Sequence, residues 1–243
     1  MNRGHREILT LIQTASGAPQ RPSFLDRYLG NTHVKYNIRN PALRQIARSW
    51  VRTHADMTTS AFTKVVSSLV TGKSSTEKQV AGMLLDAARP HQRQFKPTVF
   101  NTWLTHVQGW AEVDTLCTGP YTADEVLRQW PDWKKLLTQL SKSSNVNKRR
   151  ASLVFLCHPV RHHDNKPLAA LAFANIKRLQ HEKDVMITKA ISWLLRSMVK
   201  LFKQKVRVFV NGHKQSLPAI AVRETLKKIK TGRKTTPRAP AGR

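Results

Sequence analysis

Apolar residues recur at three- and four-residue spacing along most of this chain. Leu43, Ile46, Ala47 and Trp50 mark a helix over 41–53. Phe62, Val65, Val66 and Leu69 mark a second over 58–71, and Val80, Met83, Leu84 and Ala87 a third over 76–88. The same period predicts helices at 97–107, 109–117, 122–129, 132–141, 145–157, 165–180, 184–203 and 216–230. Asn40 and Pro41 are expected as the cap and first residue of the 41–53 helix. Short connections rich in Gly, Pro, Ser and Asn separate these segments. One β-like run, Val206 to Val210 followed by Asn211-Gly212, is expected to be a loop or a short extension. The fold class is therefore all-α. Helix pairs of this length in series fit an α-solenoid of HEAT-like repeats, with a globular helical bundle as the alternative.

Charge narrows the choice of partner. The 243 residues carry 42 Lys and Arg against 14 Asp and Glu, a formal net charge of +28. Such a chain is built to sit on a polyanion, since counterion release from DNA or RNA supplies binding energy without sequence readout. The concave face of a solenoid would cradle a duplex. A ribosomal-type or RNA-associated structural protein is the other reading of the charge. A membrane role is disfavoured, because no segment is apolar enough to span a bilayer. The stretch after Met1 has no apolar signal core, so the expectation is no signal peptide and a cytoplasmic, nucleoid-associated protein. Cys117 and Cys157 form no disulfide framework, in keeping with a reducing compartment. We expect one domain over 1–230 and a disordered basic tail over 231–243.

Three constellations bear on chemistry. Trp110 and Asp114 stand four residues apart and share a helix face. Cations around a lone carboxylate favour its ionised form, and an ionised Asp can stabilise a cationic transition state such as the oxocarbenium-like sugar of glycosidic cleavage. The competing reading of Asp114 is a salt bridge or cap. On helix 184–203, Ile187, Ile191, Leu194, Leu195, Met198 and Phe202 form the core stripe. Trp193 lies off its centre among Lys189, Arg196 and Lys200, placed either to stack on a nucleoside or to pack at the core edge. Arg149 and Arg150 follow Asn145, a candidate helix cap, and are placed to grip a backbone or to line a solvated face. Cys157, His158, His162, His163 and Asp164 fall in one loop, but their spacing matches no metal pattern, so no metal or cofactor is expected. Thr71-Gly72-Lys73-Ser74-Ser75 lacks the earlier glycine and strand of a phosphate loop and reads as a helix–helix connection.

These pieces, taken in order, resemble AlkD-type DNA alkylation repair proteins. The resemblance rests on Tyr28 in Arg27-Tyr28-Leu29 and on Asn37-Ile38-Arg39-Asn40-Pro41-Ala42-Leu43-Arg44. It continues in Trp110-Ala111-Glu112-Val113-Asp114, in Asn145 to Ala151, and in Lys189-Ala190-Ile191-Ser192-Trp193-Leu194-Leu195-Arg196. It spans roughly residues 22–230. It implies a HEAT-like solenoid around duplex DNA. It also implies a monofunctional glycosylase that hydrolyses the N-glycosidic bond of N3- and N7-alkylated purines without flipping the base. Carried over by motif, Asp114 is the catalytic carboxylate, Trp110 and Trp193 contact the lesioned nucleotide, Tyr28 is a further cleft residue, and Arg150 holds the DNA backbone. Arg149, Lys189 and Arg196 join Arg150 as expected backbone contacts. The partner is double-stranded DNA with alkylated bases, and the protein is expected to be a monomer. Two positions depart from the family pattern: Ala111, where it often has Asp, and Asn147, where it often has Trp. The alternative is a non-catalytic DNA-binding solenoid that recognises DNA structure.

If the basic surface is the binding face, affinity for undamaged duplex falls steeply with salt, with a log–log slope of several units in a filter-binding titration. A flat dependence would remove that assignment.

Overall fold

Local capping sets where the helices begin. In the computed structural model, which describes residues 1–234, Ser74 Oγ accepts from the Glu77 N–H (3.2 Å) while the Glu77 carboxylate accepts from the Ser74 N–H (2.8 Å). That reciprocal box starts one helix at Ser75 and closes the Thr71–Ser74 connection. Helices run in succession: α1 (Arg3–Ser16), α2 (Phe24–Tyr28), α3 (Asn40–Thr53), α4 (Thr59–Val70) and α5 (Ser75–Ala87). After a 3-10 turn come α6 (Val99–Trp103), α7 (Gly109–Cys117), α8 (Thr122–Arg128), α9 (Trp130–Leu140) and α10 (Val146–Val154). The chain finishes with α11 (Pro159–His162), α12 (Lys166–Leu179), α13 (Val185–Gly212) and α14 (Ala219–Thr231). Extended pairing among the described residues is limited to two isolated bridges, Gln20 with Lys35 and Val34 with Ser74.

The fold is an all-helical α-solenoid. An inner layer runs α3, α5, α7, α10, α13, each packed on the next, and α14 closes it against α13. An outer layer of α1, α4, α9 and α12 covers the back of these helices. Between the layers Phe100, Trp103, Trp133 and Phe155 meet edge-on or tilted, with centroids 4.9–5.4 Å apart in the Phe100–Phe155 and Phe100–Trp133 pairs. This aromatic cluster anchors α10 from behind, which matters because α10 carries Arg150. On the open side, α7 presents Trp110, Ala111, Asp114, Thr115 and Thr118 at helical spacing.

Several expectations are corrected. The Val206–Val210 run is helical, the continuation of α13 past a kink at Phe202. Val206 and Val210 are buried one turn apart, and Phe209 packs on Phe173 of α12 (4.6 Å), so tertiary contact overrides the β-branched composition. The 97–107 helix contracts to α6, and the cap of α3 is Arg39, with Asn40 already helical. The Cys157–Asp164 stretch is not one loop, since α11 occupies its middle. α14 extends to Thr231, where Gly232 closes it in the left-handed region (φ 72°). The basic tail assigned to 231–243 therefore overlaps the helix at its start, and from residue 235 it lies outside the described residues. Three helices escape the periodicity reading: α1, which buries Ile8 and Ile12 on one face, and the short α2 and α11.

α5 and α7 approach so closely that a Cβ on Gly82 would lie 2.2 Å from the Thr115 carbonyl oxygen. Gly82→Ala is expected to destabilise the fold by about 1–3 kcal/mol through overpacking, read as a lower urea midpoint at unchanged slope.

Candidate active site

Asp114 sits in the middle of α7 on the open side, and its carboxylate is gripped by Arg150 of α10. Arg150 Nε donates to Oδ1 (2.8 Å) and Nη2 to Oδ2 (2.7 Å), a fork-on-fork pair. Nη1 donates to the Met186 carbonyl at the start of α13, so one side chain ties three inner helices together. Arg150 is 4% exposed, and no part of its guanidinium is left as a free surface cation. Arg150, expected to grip the DNA backbone, holds the carboxylate in this structure. Arg149 is similarly occupied, with Glu182 accepting at 2.6 and 3.0 Å and the Ser143 and Ser144 carbonyls at 3.0 and 2.7 Å.

Burial also alters the electrostatics anticipated for Asp114. Removal from water pushes its carboxyl above the ordinary carboxylate range, while the hydrogen bonds and charge of Arg150 act in the opposite direction. The general positive charge of the chain does not decide its protonation; this one buried partner and the loss of solvent do.

One turn before Asp114, Trp110 is 45% exposed. Its backbone is held by Gly109 (φ 66°), where a Cβ would lie 2.6 Å from the Leu29 carbonyl, so only glycine lets α7 start this close to the end of α2. A second residue secures this junction, and no sequence motif points to it. Glu112 is fully buried and accepts from Asn31 Nδ2 (2.7 Å) and the Gln108 N–H (2.7 Å), and it bonds His33 Nδ1 (2.9 Å). It pins α7 to the segment after α2, which carries Tyr28, 61% exposed. The signal that could have found it is its position, since an acid in the first turn of a helix reaches back to the N–H groups at its start. Trp110, Ala111, His33, Tyr36 and Gln79 line a cavity of about 230 Å³, and Asp114 lines another of about 380 Å³ one turn further along the same helix.

Trp193 on α13 is half-buried against the core, and Lys189, one turn earlier, is exposed. Arg196, a turn later, is held by Glu224 of α14 (3.3 Å) and donates to Ser192 Oγ (3.3 Å). The structure thus joins Asp114 and Arg150 directly, with Trp110 one turn away on the same helix and the start of α13 tied in through Met186, whereas Arg196 lines a separate cavity with Lys200 and Lys203. Asn147 donates to the Val107 carbonyl (3.1 Å), fastening α10 to the turn before α7.

A profile of the DNA alkylation repair enzyme family matches residues 12–229. The chain belongs to that family. A predicted DNA alkylation repair enzyme from Enterococcus faecalis is structurally similar, with a TM-score of 0.68 at 16% identity, over 82% of this chain and 90% of that one. No curated protein matches. Family membership places DNA as the partner and alkylation damage repair as the role. Beneath the site of this family member lie Cys117, the last residue of α7, and Cys157, both buried and free. Burial pushes the Cys157 thiol up to about 12, and carries Cys117 well above the usual thiol range. No helix among the described residues is long and apolar enough to cross a membrane, and no cluster of three or more metal-ligating side chains is found among them.

Removing Arg150 leaves a buried carboxylate uncompensated. Arg150→Met is expected to cost about 3–5 kcal/mol in chemical denaturation. Adding Asp114→Asn should recover part of that loss, and strictly additive effects in the double-mutant cycle would show that the pair is not coupled.

Proposed function

We propose that this protein is a monofunctional DNA glycosylase that hydrolyses the N-glycosidic bond of N3- and N7-alkylated purines in duplex DNA. The observation that carries the reading is the carboxylate of Asp114, locked by Arg150 on the open side of a strongly basic solenoid. In a chain of net charge +28, cations attract the DNA backbone, whereas a fixed carboxylate attracts the opposite sign. Cleavage of an alkylated purine passes through a sugar carrying positive charge. An oriented carboxylate stabilises that charge as it develops and needs no reorganisation to do so.

The lesion itself also fits the site. An N3- or N7-alkylated purine is already cationic, so it leaves as a neutral base. An exposed indole face attracts a cation through its quadrupole, a preference that Trp110, and Trp193 across the inner layer, would confer over an undamaged neutral purine. Tyr28 borders the same side. With aromatic contact at the surface, the base need not be withdrawn into an enclosed pocket, unlike the common route of base-excision enzymes. In this reading Lys189 contacts backbone phosphate directly. Arg149 and Arg196 reach it only if they exchange Glu182 and Glu224 for the phosphate, and Arg150 acts chiefly by aiming Asp114. The HEAT-like unit spans 1–230 and works as a monomer without metal or cofactor.

Single-turnover release of 7-methylguanine from methylated duplex tests this. Wild type releases the base, and Asp114→Asn retains duplex affinity while release falls by about 10²–10³-fold, the scale of losing one oriented electrostatic contact. Absence of release by wild type, on N3-methyladenine as well, would replace the reading with a non-catalytic DNA-binding solenoid. The pH profile adds a signed expectation. A raised carboxyl pKa retains its proton to higher pH, and the ionised form is the active one. Release therefore falls on acidification at a pH above that of an ordinary aspartate.

A further inference from the structure

The cavity that Asp114 lines holds a second carboxylate, Asp86. Asp86 stands in the last turn of α5, half-buried, and makes no hydrogen bond or ion pair among the described residues. Its own helix does not favour it there. The C-terminal end of a helix repels negative charge, and Asp86 lies at the end of α5 beside the turn that ends α7, where a Cβ on Gly119 would lie 2.9 Å from its Oδ1. A lone, unpaired carboxylate in such a place is poorly explained by stability. Opposite it His158 lines the same cavity, with its Nδ1 buried and unpartnered. Burial and the neighbouring Arg161 and His162 hold this imidazole below its ordinary pKa, with Asp86 acting in the opposite direction, so the ring is a neutral hydrogen-bonding group near neutral pH. Arg44 of α3 forms the remaining charged wall.

Asp114 is poorly placed to take a proton from water. Each of its oxygens already accepts from Arg150, so its lone pairs are turned to the guanidinium. Asp86 has no such partner. We infer that Asp86, with His158 beside it, seats the attacking water in this cavity and accepts its proton, leaving Asp114 to stabilise the sugar. The inference rests on the glycosylase reading above. In the step, the water oxygen bonds to the anomeric carbon as the carbon–nitrogen bond to the alkylated purine breaks. The electron pair of that bond stays with the base and cancels its positive charge. The water proton passes to the Asp86 carboxylate and from there to solvent. Two carboxylates with separate duties, an acid for the leaving group and a base that activates water, are an established division for cleavage of bonds to a sugar; a purine that already carries positive charge needs no acid, which frees the other carboxylate for electrostatic stabilisation.

The test compares wild type, Asp86→Asn, Asp86→Ala and His158→Gln in single-turnover release of 7-methylguanine, with duplex affinity and thermal melting measured beside it. Asp86→Asn should reduce release by about 10²-fold, the lower end for loss of a general base, at unchanged affinity and melting. His158→Gln, which keeps a hydrogen-bonding group, should lose less. Azide, a nucleophile that carries no proton to remove, should restore base release by Asp86→Ala and leave an azido sugar. Wild-type rates in Asp86→Asn would overturn the inference and leave the glycosylase reading intact. So would loss of affinity or melting in parallel with release, or a loss that azide fails to restore. No release by wild type would instead sink the glycosylase reading, and the role of Asp86 with it.

Discussion

The contact on which the site depends is the fork between Arg150 and Asp114. Neither partner is tolerable alone: a buried guanidinium without its carboxylate, or the reverse, leaves a charge in a medium that does not solvate it. Together they fix the relative position of α7 and α10, and the third donor of the same guanidinium, on the Met186 carbonyl, adds α13. A solenoid has no closed core to hold distant helices in register, since each unit touches only its neighbours. A side chain that spans three successive inner helices supplies that register where the carboxylate must be held still.

Around this pair the layers have complementary tasks. The aromatic cluster of Phe100, Trp103, Trp133 and Phe155 holds α10 from behind with apolar contact that is indifferent to direction. The buried Glu112 network holds α7 with hydrogen bonds that are strongly directional. Apolar packing sets the distance between layers, and the polar contacts set the rotation of each helix about its axis. The rotation of α7 decides whether Trp110 and Asp114 face outward together.

Much of this is legible in the sequence, and the losses have physical causes. Inner helices such as α5 and α7 carry a repeating apolar stripe, so their period survives in the letters. The pairing of Trp110 with Asp114 on one face follows from their spacing alone. The end of α13 is hidden because Val206, Val208 and Val210 alternate in a manner that suits a strand equally well, and only packing on α12 and α14 decides between them. α1 is hidden because its buried face begins with Gly4 and His5, so that only Ile8 and Ile12 among its buried residues show as apolar in the letters. The partners of Arg149 and Arg150 cannot be read at all. Glu182 lies 33 positions from Arg149 and Asp114 lies 36 from Arg150, and nothing local records which cation meets which carboxylate. A high density of arginine invites the inference of free surface charge, and here that inference fails at Arg149 and Arg150.

The two cysteines carry a consequence of their own. A thiol reacts with electrophiles as the thiolate, and the electrophiles that methylate purines in DNA also methylate thiolates. Cys117 and Cys157 lie directly beneath α7 and α10, where an added methyl group would have to be fitted into a filled core. Both are closed off from solvent and held in the protonated form. In a member of a DNA alkylation repair family, both thiols are thus kept from the form that alkylating agents attack.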